Sequence, residues 1–151
     1  MSFSLSSPST ELTKAINYAT GHGVACVASV GNGGSESLVF PAAFHNVLGV
    51  ASTDSQDVRS SFSNFGGAVT HLAAPGEGIV TIYPGGLYAV ASGTSFAAPF
   101  VTGGLALMNQ IDHNITPSEA LAAFSNAKKL TPDLGFGRLD LDEAVEFLVH
   151  R

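Results

Sequence analysis

Ser95 is the residue of this chain most suited by its setting to covalent chemistry. It lies in the stretch Ala91–Gly104, ASGTSFAAPFVTGG, between a Gly-Thr pair and a long apolar run. That run predicts a helix opening at Ser95. A hydroxyl there meets unpaired backbone N–H groups and the positive end of the helix dipole, and both favour negative charge on it and on whatever it attacks. The same place also suits a plain cap, since serine is a preferred residue at helix N-termini. A serine nucleophile further needs a positioned base to take its proton. The chain has five histidines, and each reads as a surface or capping residue. His22 closes a helix, His45 precedes a strand and His71 lies on a short strand. His113 follows the apolar helix, and His150 is next to the C-terminus. No two of them have metal-ligand spacing. Cys26 is the sole cysteine, which excludes an internal disulfide and any cysteine-based metal site. It sits in the apolar run GVACVASV and reads as a small buried hydrophobe. Asp54, Asp57 and Glu77 fall in loops and read as solvated or turn residues, so a structural calcium ion there is only a weak signal.

The elements that must position Ser95 follow from periodicity. SFSL reads as the end of a strand. SSPSTELTKAINYATGHG predicts a helix with Leu12, Ala15, Ile16 and Ala19 on its apolar face and glycines at its stop. VACVASV and NVLGVAST are continuous apolar runs of the kind found in parallel strands covered on both faces. THLAAPGEGIVTIYPGGLYAVASGTS predicts two or three short strands, with a hairpin at Pro84-Gly85-Gly86. Ser95 to about Ile111 predicts a central helix, apolar all round, with Pro99 in its first turn where a missing N–H costs least. TPSEALAAFSNA carries a capping box from Thr116 to Glu119. LDLDEAVEFLVH predicts a last helix capped by Asp140. Strand, helix and strand joined by short links imply an α/β domain with a mostly parallel sheet.

At 151 residues the chain is long enough for one domain with a single core. Its net charge of −6, with Lys128-Lys129 as its one lysine pair, disfavours nucleic acid as a partner. No apolar run is long and unbroken enough to span a bilayer. MSFSLSSPST has neither the basic start nor the apolar centre of a signal peptide, which leaves the compartment open.

GTSFAAPFVTG resembles the nucleophile signature of the subtilisin-like serine peptidases, Gly-Thr-Ser-x-Ala-x-Pro-x-Val-x-Gly. Gly93, Thr94, Ser95, Ala97, Pro99, Val101 and Gly103 fill all of its fixed positions. ASVGNGG resembles the family segment in which a strand ends in an asparagine, here Asn32, whose amide reaches the reacting carbonyl. FSLSSPS is similar to the stretch that pairs with the substrate as an added strand, which implies that role for Ser4, Leu5 and Ser6. LVFPAAFHNVLGVAS resembles the floor of the main specificity pocket, with Phe40-Pro41 for the usual Tyr-Pro. Val39 stands where many members have glycine, and a β-branched side chain there implies a preference for small substrate side chains. Gly31 and Thr94 complete the implied substrate-binding set. SSFSNFGG, LAAPGEGIVT and GFGRLDLDEAV match further landmarks in order.

The resemblance implies a subtilisin-like three-layer α/β/α domain, one partial catalytic domain over 1–151 corresponding to about the C-terminal half of the whole, with its first strands absent. It implies a serine endopeptidase acting on polypeptides, with Ser95 as nucleophile and Asn32 plus the Ser95 backbone N–H as oxyanion hole. It requires no cofactor. The family's aspartate and histidine belong to motifs that these residues do not contain, so the isolated chain is expected to be inactive. An incomplete sheet would expose an edge and apolar faces, so self-association or pairing with an N-terminal complementing fragment is expected. Two rival readings remain at this point. One is a non-catalytic interaction or scaffold module using the sheet edge or the peptide-binding strand. The other is a hydrolase drawing a new base from His45 or His71.

Overall fold

The computed structural model describes residues 1–150. In chain order the elements are α1 (Thr10–Gly21), β1 (Cys26–Ser29), β2 (Val47–Thr53), β3 (Leu72–Pro75), β4 (Ile79–Tyr83), β5 (Leu87–Ala91), α2 (Thr94–Ile111), α3 (Pro117–Phe124) and α4 (Leu141–Val149). A 3-10 turn at Pro132–Leu134 precedes α4. β1, β2 and β3 form a parallel sheet in that order, with Cys26 opposite Val47 and Val50 opposite Leu72. β4 and β5 form a separate antiparallel hairpin in the Pro84-Gly85-Gly86 region.

Alternation along the strands explains why the apolar runs are continuous. Val27, Val50, Leu72 and Ala74 point to one face, where they pack with Ala97, Val101 and Met108 of α2, Phe124 of α3 and Leu148 of α4. Ala28, Val47, Ala51 and Ala73 point to the other face, where they meet Ile16 of α1, Val30 and Leu134. Strands covered on both sides lose the polar half of the usual alternation. The expected three-layer α/β/α arrangement is therefore present, with the helix carrying Ser95 lying across all three strands.

Local sequence sets the helix ends. The Ser9 side chain accepts from the Leu12 N–H at the start of α1. Thr116 and Glu119 close the capping box of α3, and Asp140 caps α4. Ala15 is exposed rather than on the buried face of α1.

α2 departs from expectation in two ways. It starts one residue early, at Thr94 with Gly93 as cap, so Ser95 is its second residue and not its cap. Pro99 is then the sixth residue, beyond the first turn. A proline there cannot donate to the carbonyl four residues back, which is that of Ser95. The Ser2 hydroxyl takes that carbonyl instead, at 3.0 Å. The second departure is that α2 is buried on one side only. Phe100, Leu107 and Ile111 face solvent.

Gly49 sits where β2 passes the backbone leading into β3. A Cβ there would overlap the Val69 carbonyl oxygen, a fixed backbone atom. Gly49→Ala is expected to cost about 3 kcal/mol of stability, the upper end for overpacking a core. The check is the urea midpoint, and an unchanged midpoint would mean that the strand crossing is looser than described.

Candidate active site

In a parallel sheet the loops that leave the C-terminal strand ends converge, and ligands bind there. The loop after β1 carries Gly31 and Asn32, and the first turn of α2 comes down beside it. Asn32 Oδ1 accepts from the Thr94 N–H at 2.9 Å and from the Thr94 hydroxyl at 2.8 Å. Thr94 Oγ1 in turn accepts from the Gly31 N–H at 3.2 Å. These bonds fix the sense of the Asn32 amide. Its oxygen is tied down to a backbone donor, so its NH2 is the end left to act outward. A Cβ at Gly93 would lie 3.3 Å from that nitrogen, which places the NH2 at the mouth of α2. Asn32 itself is exposed and Thr94 is buried.

Ser95 is partly exposed, in the first turn of α2. Its hydroxyl donates to the Ser2 carbonyl at 3.5 Å, a long contact to a group that cannot act as a base. The two serines thus clasp each other, Ser2 hydroxyl to Ser95 carbonyl and Ser95 hydroxyl to Ser2 carbonyl. Ser2 carries no sequence signal for this. Only the missing N–H of Pro99, read at its true helical position, points to a carbonyl in want of a partner.

Leu5 forms a two-way bridge to Phe40, with N–H to carbonyl distances of 2.8 and 2.9 Å. Backbone groups alternate sides along an extended chain. With Leu5 turned toward Phe40, the exposed Ser4 presents its backbone to the opposite side, and Ser6 is exposed beside it. SFSL is therefore a single bridge rather than a strand. Val39 is half-buried, and its Cγ1 lies 3.6 Å from where a Cβ at Gly31 would stand. The Leu5–Phe40 bridge thus brings Val39 and its neighbour Phe40 alongside Gly31, the residue before Asn32. The expected nucleophile, asparagine and peptide-contacting residues fall together at one end of the sheet.

The histidines do not join them. His45 and His71 line a cavity of about 200 Å³ at the N-terminal ends of the strands, together with Cys26, Leu48 and Leu121. That end of the sheet is opposite Ser95, which removes the reading of a new base drawn from His45 or His71. His71 Nδ1 accepts from the Gly49 N–H at 3.1 Å, and burial holds its pKa below the ordinary 6.5. Unfolded protein then binds the extra proton more readily, so stability contributed by neutral His71 is present above pH 6.5 and lost as pH falls below it. His71→Gln is expected to flatten the fall of the melting temperature between about pH 7 and pH 5. An unchanged slope would count against it. Cys26 is half-buried in the same cavity wall, and burial pushes its thiol up.

Two of the loop acids, Asp54 and Asp57, hold partners of their own. Asp54 Oδ1 accepts from the N–H groups of Gln56 and Val58. Asp57 pairs with Lys128 at 2.7 Å and Arg138 at 2.6 Å. Among the described residues no three His, Cys, Asp or Glu side chains converge, and no helix is long and apolar enough to cross a membrane.

Comparison with known proteins agrees with this geometry. The model of the subtilase family matches residues 1–140. Subtilisin Savinase from Lederbergia lenta is 43% identical over 104 residues, covering 69% of this chain and 38% of its own length. Thermitase from Thermoactinomyces vulgaris is 38% identical over 140 residues, covering 90% of this chain and 49% of its own. Among solved structures, the prenylagaramide maturation protease PagA superposes with a TM-score of 0.86 at 32% identity, over 97% of this chain and 58% of its own. The self-cleaved protease domain of PatA superposes with a TM-score of 0.89 at 30% identity, over 99% and 61%. The chain spans half or less of the length of the curated relatives quoted.

Proposed function

The chain belongs to the subtilase family, a family of serine proteases, and we propose that it is the nucleophile-bearing and peptide-binding half of a serine endopeptidase domain. The observation that carries this reading is the Asn32–Thr94–Ser95 arrangement: an amide turned outward beside a serine at a helix N-terminus. In the reaction, Ser95 Oγ attacks the scissile carbonyl and an external base takes its proton. Negative charge develops on the carbonyl oxygen, where the Asn32 NH2 and the Ser95 N–H donate to it. The amine leaves with the proton, and water releases the acyl group from Ser95 by the same steps in reverse roles. Ser4–Ser6 and Gly31 hold the peptide backbone, and the β-branched Val39 beside Gly31 favours a small substrate side chain. No metal or cofactor enters these steps.

Base and orienting acid have to come from outside residues 1–151. Alone, the chain retains binding and oxyanion donors, which in a subtilisin leave a residual of about 10³–10⁴ over water when triad members are removed. The deciding experiment supplies the preceding half of a relative's domain as a separate polypeptide and measures peptide hydrolysis. Hydrolysis that appears on mixing and disappears with Ser95→Ala supports the proposal. Hydrolysis that survives Ser95→Ala sinks it.

The exposed apolar faces favour a second reading, a non-catalytic module that holds a partner. The hairpin face of Val80, Ile82, Tyr88 and Val90 is 68–82% exposed, and an isolated two-stranded hairpin is marginal in water. With the open side of α2, it is suited to being covered by a complementing fragment or by a second copy. Sedimentation velocity is expected to show dimers or larger species at high concentration. A clean monomer would remove self-association. Partner binding unchanged by Ser95→Ala and without hydrolysis would favour the scaffold reading over the enzyme.

A further inference from the structure

We infer that Asn64 is a positioning residue for the loop that carries Asn32. The inference deepens the proposed function and rests on the oxyanion role given there to Asn32.

Asn64 is 3% exposed, and its polar groups reach both sides of Asn32 in the chain. Before Asn32, its Nδ2 donates to the Val30 carbonyl at 2.9 Å, and its backbone N–H donates to the Gly31 carbonyl at 3.0 Å. After Asn32, its Oδ1 accepts from the Gly33 N–H at 2.9 Å and the Ser35 N–H at 3.3 Å. One buried side chain therefore ties the incoming and outgoing arms of a turn that no regular ladder holds. The turn has positive φ at Gly31 (95°) and Gly34 (63°), so its backbone needs outside support to keep one shape. Thr94 holds the opposite side through Gly31 N–H and Asn32 Oδ1. Asn32 is gripped between a helix terminus and a buried amide.

The grip is itself anchored. The Ser63 hydroxyl donates to the Asn64 carbonyl at 2.9 Å and accepts from the Ser52 N–H of β2 at 3.0 Å. Arg59 Nη1 donates to the Ser63 carbonyl at 2.8 Å. The fit is close enough that a Cβ at Gly31 would lie 2.7 Å from Asn64 Nδ2. The task needs a donor and an acceptor on one short planar group, and only an amide offers both. Leucine has the shape and neither function, while aspartate keeps the acceptor alone.

Asn64→Leu and Asn64→Asp separate positioning from plain stability in the 151-residue chain, with amide exchange and Asn32 side-chain resonances followed by NMR. In Asn64→Leu, exchange at Gly33 and Ser35 is expected to rise at least about tenfold against unchanged Val50 and Leu72, the rate change that loss of one net hydrogen bond brings. The Asn32 NH2 signals are expected to shift with it. In Asn64→Asp both loop amides stay protected and the Asn32 signals stay close to their original positions, even though the bond to Val30 is lost and the melting temperature falls. Unchanged Gly33 and Ser35 in Asn64→Leu would overturn the inference. So would acceleration shared equally by Val50 and Leu72, which is general loosening. Failure of the oxyanion reading shows elsewhere: Asn32→Ala that leaves hydrolysis by the complemented enzyme unaltered removes the catalytic meaning of the loop and leaves the exchange result standing.

Discussion

Incubated with a fluorophosphonate probe, the isolated chain is expected to leave Ser95 unlabelled over the time in which a complete relative is labelled to one equivalent. The Ser95 hydroxyl faces the Ser2 carbonyl at 3.5 Å, and a carbonyl takes no proton from it. His45 and His71, around the same cavity, lie at the other end of the strands. In a subtilisin, loss of the serine's base alone costs about 10⁶ in turnover. Oxyanion donors do not recover that factor, because they stabilise charge on the carbonyl oxygen and take no proton from Ser95. The field of the α2 N-terminus lowers the cost of an alkoxide by about 1 kcal/mol, far short of the deficit. Supplying a polypeptide with the family's aspartate and histidine motifs is expected to restore rapid labelling, and Ser95→Ala to abolish it. Rapid, stoichiometric labelling of the chain by itself would sink this account and mean that a base has been found within it.

The parts of the molecule that were legible in advance are those whose signal is local. The fixed positions around Ser95 mark it as the candidate nucleophile, and several of them have a nearby structural duty. Gly93 caps α2, Ala97 and Val101 bury its inner face, and Thr94 tethers Asn32. Continuous apolar runs gave β1 and β2 because strands covered on two sides cannot alternate. What escaped depends on partners distant in the chain. Asn64 in SSFSNFGG looks like one more turn residue, and its duty emerges only when it meets Val30, Gly33 and Ser35 some thirty residues away. Local sequence places Pro99 in a first turn, because nothing local says that the cap is Gly93 and not Ser95. Phe100 and Leu107 show the same limit from the other side. An all-apolar helix announces that both its faces prefer burial, yet α2 finds cover for one.

Asn32→Ala, made in the complemented enzyme, is expected to lower kcat by about 10²–10³ and leave KM nearly unchanged, as removal of the matching donor does in a subtilisin. The size and the split both follow from where the amide points. Asn32 Oδ1 is committed to Thr94, so the NH2 is the end free to meet the carbonyl oxygen that the proposed reaction would charge. A ground-state carbonyl gains little from that donor, whereas an oxyanion gains a charge-assisted bond. An ordinary exposed hydrogen bond contributes about 0.5–1.5 kcal/mol, close to tenfold at most. A drop in kcat below tenfold would therefore reduce Asn32 to a loop contact. Asn32→Asp sharpens the distinction. It keeps the acceptor that Thr94 uses and so keeps the loop tethered, but it sets a carboxylate against the developing negative charge. Its kcat is expected to fall at least as far as that of Asn32→Ala. Thr94→Ala removes the hydroxyl tether and leaves the Thr94 N–H in place, so its loss is expected to be smaller than either. If Thr94→Ala proved the most damaging of the three, the hydroxyl rather than the amide would be the main oxyanion donor.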